Sequence, residues 1–162
     1  MKIEVENSID ERSKEYLDGF LHSLPLEVAE KYTSFSADYY CADEYNANIC
    51  ADLIVRGEKR ASCSMKHWYS HEGEAMPEVG HLQVVTNWDG KPLCIIEITS
   101  VTECQYCDIS AEFASAEGEG DKTLAWWREA HWAFFSAECK ALDIEPTEEM
   151  LLVLEHFKVV YK

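Results

Sequence analysis

A chain of 162 residues with 47% hydrophobic and 12% aromatic content can bury a sizeable core, so disorder is excluded and one domain is sufficient. Its 31 acidic residues against 14 basic ones give a formal net charge of -17. That balance excludes a long nucleic-acid duplex as an ordinary partner, because such binding is driven by Lys and Arg displacing counterions from phosphates.

No stretch approaches the roughly 20 apolar residues of a membrane span. The seven cysteines are an odd number in a chain without a signal-peptide-like start, and they read as reduced thiols in a cytoplasm. Residues 1–34 read as an N-terminal helical extension, with Tyr16, Phe20, Leu21 and Leu24 on one helical face before Pro25 interrupts it. Residues 35–162 form the main domain. Ala42 to Arg56 puts Tyr45, Ile49 and Leu53 on one helical stripe by steps of four, and Gly57 supplies a stop. From Ala61 the period becomes two, with Ala61, Cys63 and Met65 on one face and Ser62, Ser64 and Lys66 on the other. His67 and His71 fall where this strand gives way to a loop, where a spacing of four does not set them face to face.

Leu82–Thr86 and Leu93–Thr99 read as a hairpin joined through Asn87-Trp-Asp-Gly90. A glycine-loosened acidic run from Ala116 to Asp121 follows, in which Asp121 is placed to cap a helix. That helix, Leu124–Cys139, carries Leu124, Trp127, His131, Phe134 and Phe135 near one side. Trp126, Trp127, Trp132, Phe134 and Phe135 are also candidate base-stacking platforms, although helical spacing is what packing alone requires. A final strand runs from Phe157 to Tyr161. Strands this few and short favour an α+β fold around a compact or partly closed barrel over a doubly wound sheet.

Arg56, Lys59, Arg60 and Lys66 against Glu58 make a local charge of +3, whereas Glu103 to Asp121 holds six acidic residues and no basic one. A nucleotide or short oligonucleotide could be focused into such a positive cleft. Lys59 follows a helix stop and precedes the strand carrying Ser62, so its amine can swing over that strand's polar face. An amine beside a hydroxyl can take its proton, with Glu117 as orienter or proton handler. From spacing alone the same residues also read as a phosphate or carboxylate grip, or as solvated surface. His131 is a candidate ligand or proton carrier. Cys104-Gln-Tyr-Cys107 has the spacing of a redox pair or half a zinc site, but no second pair answers it. No Gly-rich phosphate loop, HExxH or nucleophile elbow occurs, so no metal site or regular cofactor is expected, and a divalent ion is left open only through the acidic run.

Four runs in order then carry a resemblance: Gly57-Glu-Lys-Arg-Ala-Ser-Cys-Ser64, Pro77-Glu-Val-Gly80, Glu112-Phe-Ala-Ser-Ala-Glu-Gly-Glu-Gly-Asp121 and Trp127-Arg-Glu-Ala-His-Trp132. Over about residues 35–161 the chain resembles the ASCH domain family in its long form. The resemblance implies a PUA-like small mixed β-barrel flanked by helices, with an RNA- or nucleotide-binding role. Short-form members that remove an acyl group from acetylated cytidine use a Lys, a Thr and a Glu. Lys59 matches the first, Ser62 stands in place of the threonine without the methyl that restricts its rotamers, and Glu117 matches the third. Long-form members look like RNA-cleaving or RNA-binding proteins, which puts Lys59 on the phosphate with His67, Tyr69 or His131 in support.

The expected catalytic set is therefore Lys59, Ser62 and Glu117, with Arg60, Ser64, Lys66, His67, Tyr69, Arg128 and His131 as ligand-binding residues. The expected activity is that of a small hydrolase, a ribonuclease or an acetylcytidine-type amidohydrolase. A noncatalytic RNA- or nucleotide-binding module, or a small-molecule sensor, is the alternative. Short single-stranded RNA, a nucleoside or a nucleotide is the expected partner, with no membrane involved and room for a homodimer.

Overall fold

The computed structural model describes residues 9–162, so the first eight residues of the expected extension lie outside the described residues. Helix α1, Glu11–Ser23, starts where the Asp10 carboxylate accepts the Ser13 N–H at 2.8 Å, satisfying one of the donors a helix leaves open at its start. It stops ahead of Pro25, and a single turn, α2 (Leu26–Ala29), leads to β1, Phe35–Asp38. The order continues α3 (Glu44–Val55), β2 (Ala61–Met65), α4 (Lys66–His71), β3 (Leu82–Thr86), β4 (Pro92–Gln105), a 3-10 turn (Tyr106–Asp108), α5 (Ala111–Glu117), α6 (Leu124–Ala141) and β5 (Leu151–Tyr161).

The strands hydrogen-bond in the order β1-β3-β4-β5-β2, with β1 parallel to β3 and the β3–β4 and β2–β5 pairs antiparallel. The α+β class expected from sequence holds. Closure was also expected, and here the sheet is open. β1 and β2 stand at the two ends of the order, each with one strand neighbour.

By contact the chain forms two compact units. The first takes the described residues through Gly57, with Glu78–Thr99 and Phe157–Lys162. Leu17 and Phe20 of α1 pack in one cluster with Leu82, Val84 and Ile95, and a second cluster joins Ala51 and Ile54 of α3 to Val85, Cys94, Ile96 and Phe157. The stripe expected on α3 is corrected: Tyr45 is 74% exposed and Ile49 is also exposed, whereas Ala47, Cys50, Ala51, Leu53 and Ile54 are buried. Small side chains let the helix lie close against the sheet, and steps of three and four through 47, 50, 51 and 54 define its inner face.

Also in this unit, the His81 ring sits between two hydroxyls, Nδ1 2.6 Å from Ser34 Oγ and Nε2 2.7 Å from Ser36 Oγ. Burial, the largest influence, pulls the pKa of His81 below its ordinary 6.5 against a smaller opposing effect of Glu78. The folded protein therefore refuses a proton that the unfolded chain takes up. This contribution to stability is complete above about pH 6.5 and is lost as pH falls through the folded value. Denaturant titrations between pH 7.5 and 5 should show a steeper loss of stability in the parent than in His81→Gln.

The second unit comprises Glu58–Pro77 and Ser100–His156. Its core gathers Ala61 and Met65 of β2, Leu152 and Leu154 of β5, Phe113 and Ala114 of α5, and Trp127, Phe135 and Cys139 of α6. β5 begins six residues earlier than its apolar run suggests because residues 152–156 are the partners of β2. Among the described residues no helix is long and apolar enough to cross a membrane.

Candidate functional site

Helix α5 is short, and its C-terminal end builds the site. Ser110 caps its start, accepting the Phe113 N–H at 3.1 Å, and Gly118 ends it in the left-handed conformation at φ 72°. The carbonyls left open at the end of the helix find donors immediately after α3: Ala116 O accepts the Arg60 N–H at 2.7 Å, and Glu117 O accepts from Lys59 Nζ at 3.5 Å. A side chain on Gly118 would collide with the Glu58 carbonyl and the Lys59 nitrogen, so only glycine permits this approach. Gly118→Ala should cost at least about 1–2 kcal/mol from left-handed backbone alone. The clash adds to that, and a thermal melt should register the sum.

This approach delivers Lys59 and Glu117 to each other in the interior, 3% and 2% exposed. Lys59 Nζ lies 3.6 Å from Glu117 Oε1, donates to Glu119 Oε2 at 3.2 Å and donates to Ala61 O at 2.8 Å. The other carboxylate oxygen, Glu117 Oε2, accepts from Trp127 Nε1, from His131 Nε2 at 3.1 Å and from the Cys63 thiol at 3.7 Å. His131 Nδ1 donates to Trp127 O at 2.9 Å, and its ring stacks on Trp127 with centroids 4.3 Å apart. Both ring nitrogens of His131 thus face acceptors, which the imidazolium satisfies.

The electrostatics agree with this geometry. Burial, the largest influence on Glu117, pushes its carboxyl up. Lys59, His131 and Trp127 together outweigh burial and bring it below the usual range. Burial pulls His131 down, and the bond and charge of Glu117 with the Trp127 carbonyl outweigh that and raise it. Burial holds the Cys63 thiol well above its ordinary value, so it stays a donor.

Of the expected catalytic set, the structure brings Lys59 and Glu117 together and leaves Ser62 apart. The register of β2 on β5 pairs Ser62 with Glu155 and Cys63 with Leu154, so strand alternation sends Ser62 and Cys63 to opposite faces. Cys63 is the one that meets Glu117. Burial raises the Glu155 carboxyl against a smaller opposing pull from Lys59.

Among the expected ligand-binding residues only His131 contacts the Glu117 carboxylate. Ser64 Oγ and Tyr69 OH bond to each other at 2.6 Å. Lys66 opens α4, where it was expected on the strand face, and it pairs with Glu103. His67 and His71 do lie face to face, stacked 4.4 Å apart, because the segment read as strand and loop is helical. His67 Nε2 also approaches Glu72 at 3.4 Å. The Arg60 and Arg128 side chains are exposed, and Arg128 lines a hollow of about 520 Å³ with Tyr106, Trp132 and Glu148.

Two further expectations are corrected. Trp127 and Phe135 are buried and cannot be stacking platforms for a base in this structure. The cap of α6 is Thr123, whose hydroxyl accepts the Trp126 N–H at 3.2 Å, while the Asp121 carboxylate holds Thr123 in place. Sequence reasoning missed Cys63, Glu119, Glu155 and the indole of Trp127. Cys63 left a signal in the alternation of β2, which reads as core, Glu119 lay in the acidic run of residues 116–121 and Trp127 on the aromatic helix, whereas Glu155 left none.

An open five-stranded mixed sheet with helices, carrying a carboxylate and two cations in its interior, defines an α+β domain with a buried charged site. The chain belongs to the ASCH domain family, whose model matches residues 36–161. Among solved structures it is similar to the ASCH domain from Lactobacillus crispatus JV V101, with 71% identity and a TM-score of 0.93, covering 95% of this chain and 97% of that one. It is also similar to a protein from Enterococcus faecalis V583, with 28% identity and a TM-score of 0.78, covering 93% of each chain. No curated protein matches.

Proposed function

We propose that this ASCH domain binds a modified nucleoside, a nucleotide or a short single-stranded RNA and hydrolyses it at the Lys59–Glu117–His131 cluster. The observation that carries this reading is a 2% exposed carboxylate ringed by an ammonium, an imidazole and an indole N–H. Buried ionic groups are a weak source of stability, and they concentrate where chemistry needs them. Glu117 and His131 have proton affinities pushed in opposite directions, which is how an acid–base pair is set up. Lys59 supplies positive charge for an anionic oxygen.

The local +3 seen in the sequence is largely answered by carboxylates, Lys59 by Glu117 and Glu119, and Lys66 by Glu103. That favours a nucleoside-sized substrate, and binding should respond weakly to salt. Acetylated cytidine and a short single-stranded RNA, assayed for binding and turnover, test the reading. The parent should turn over one of them, with a loss of about 100-fold or more in Lys59→Ala and in Glu117→Gln.

The position of Ser62, on the face of β2 opposite Cys63, favours a second reading, a noncatalytic binding module. Tight binding without turnover, abolished in Lys59→Ala, would leave that account standing. Absence of both binding and turnover would remove both.

A further inference from the structure

We infer that Cys63 Sγ, Glu117 Oε2 and His131 Nε2 form a site for a zinc-type divalent transition metal ion, which would take the place of two protons now directed at one carboxylate oxygen. The three atoms lie within 4.8 Å of one another, with Sγ to Oε2 at 3.7 Å and Nε2 to Oε2 at 3.1 Å. Zinc bonds of about 2.3 Å to sulfur and about 2.0–2.2 Å to nitrogen and oxygen, at tetrahedral angles, require ligand separations of about 3.5 Å and about 3.3 Å. The cluster therefore needs shifts of only a few tenths of an ångström on the two measured edges.

Its surroundings suit a ligand set. His131 Nδ1 is committed to the Trp127 carbonyl, the arrangement that fixes a metal-binding imidazole with Nε2 turned toward the ion. The Trp127 indole holds the carboxylate by its own hydrogen bond. A thiol, an imidazole and a carboxylate select zinc or cobalt over magnesium or calcium, which take oxygen ligands.

Lys59 is the evident objection, since its amine lies 3.6 Å from the other carboxylate oxygen. The exchange answers it by conserving charge. One divalent ion enters as the thiol and the imidazolium each release one proton, so Lys59 meets the same net charge before and after. Three protein ligands also match zinc sites that keep a fourth position for water or substrate. The inference deepens the hydrolase reading without resting on it, because binding is measured with no substrate present.

Chelator-treated protein should be titrated with Co²⁺, followed by Zn²⁺ in calorimetry across buffers of different ionisation enthalpy. One equivalent of Co²⁺ should produce a thiolate-to-cobalt charge-transfer band, and Zn²⁺ binding near pH 6 should release close to two protons per ion. Cys63→Ser, whose hydroxyl can still donate to Glu117, should lose the band. His131→Gln should lose the tight site, and Trp127→Phe should weaken it by about 10–100-fold. Thermal melts of each variant check folding, and His131→Gln serves alone if Cys63→Ser does not fold. A parent with no stoichiometric band, or a band that survives in a folded Cys63→Ser or His131→Gln protein, overturns the inference. Turnover failing while the band and proton release persist would remove the hydrolase reading and leave the metal site.

Discussion

Glu117→Ala should destabilise the protein by about 3–5 kcal/mol, the range for removing one partner from a buried ion pair. The reason is what the substitution leaves behind. Lys59 stays 3% exposed with a neighbouring carboxylate removed, while His131 Nε2 and Trp127 Nε1 lose a common acceptor. Urea titration should show a lower midpoint at an unchanged slope. Joint replacement, Lys59→Met with Glu117→Leu, should cost clearly less than the two single changes added, because the charge and its countercharge leave together. A Glu117→Ala loss below about 1 kcal/mol would mean that water reaches these groups and that the cluster is not the buried site described above.

Trp127→Ala should cost a similar amount, about 3–5 kcal/mol, for a different reason. The ring is 1% exposed and lies against Tyr106 at 5.5 Å, Phe113 at 6.4 Å and His131 at 4.3 Å between centroids, so truncation opens a cavity at the centre of the second unit. Trp127→Phe separates packing from polarity. It keeps most of the ring contact and removes the indole N–H, one of the donors to Glu117 Oε2 beside His131 and Cys63, which should cost about 1.5–3 kcal/mol for a hydrogen bond to a charged group. Equal losses in the two variants would show that the hydrogen bond to Glu117 outweighs the packing.

What the sequence revealed divides along a physical line. Local signals were dependable: the alternation of β2, the Asp-Gly turn before β4, the glycine stop after α3 and the long α6 all appear within a few residues of where chain chemistry puts them. Features set by pairing were not legible. β4 runs on to Gln105 and β5 starts at Leu151, neither predictable from its own segment, because strand length is decided by a neighbour. The α3 stripe failed because large apolar residues are conspicuous in a sequence while alanine and cysteine, the ones that fit against a close sheet, are not.

The site divides in the same way. Lys59 and Glu117 were found through motif resemblance and do meet, and His131 was named as a candidate on chemical grounds. Ser62 was preferred over Cys63 because it stands at the family's threonine position and on the polar face of the strand, whereas Cys63 alternates with Ala61 and Met65. Which face of β2 receives α5 is a tertiary fact, and that alone decides between the two residues.

Helix α1 has a consequence unconnected with chemistry. Its Leu17 and Phe20 cover Leu82, Val84 and Ile95 on one side of the β3–β4 pair, while the far side of that pair meets α3. Without α1 those three side chains would form a continuous oily patch facing solvent, and identical patches on neighbouring molecules would adhere. The helix is therefore expected to limit adhesion between copies of the protein by keeping that patch covered.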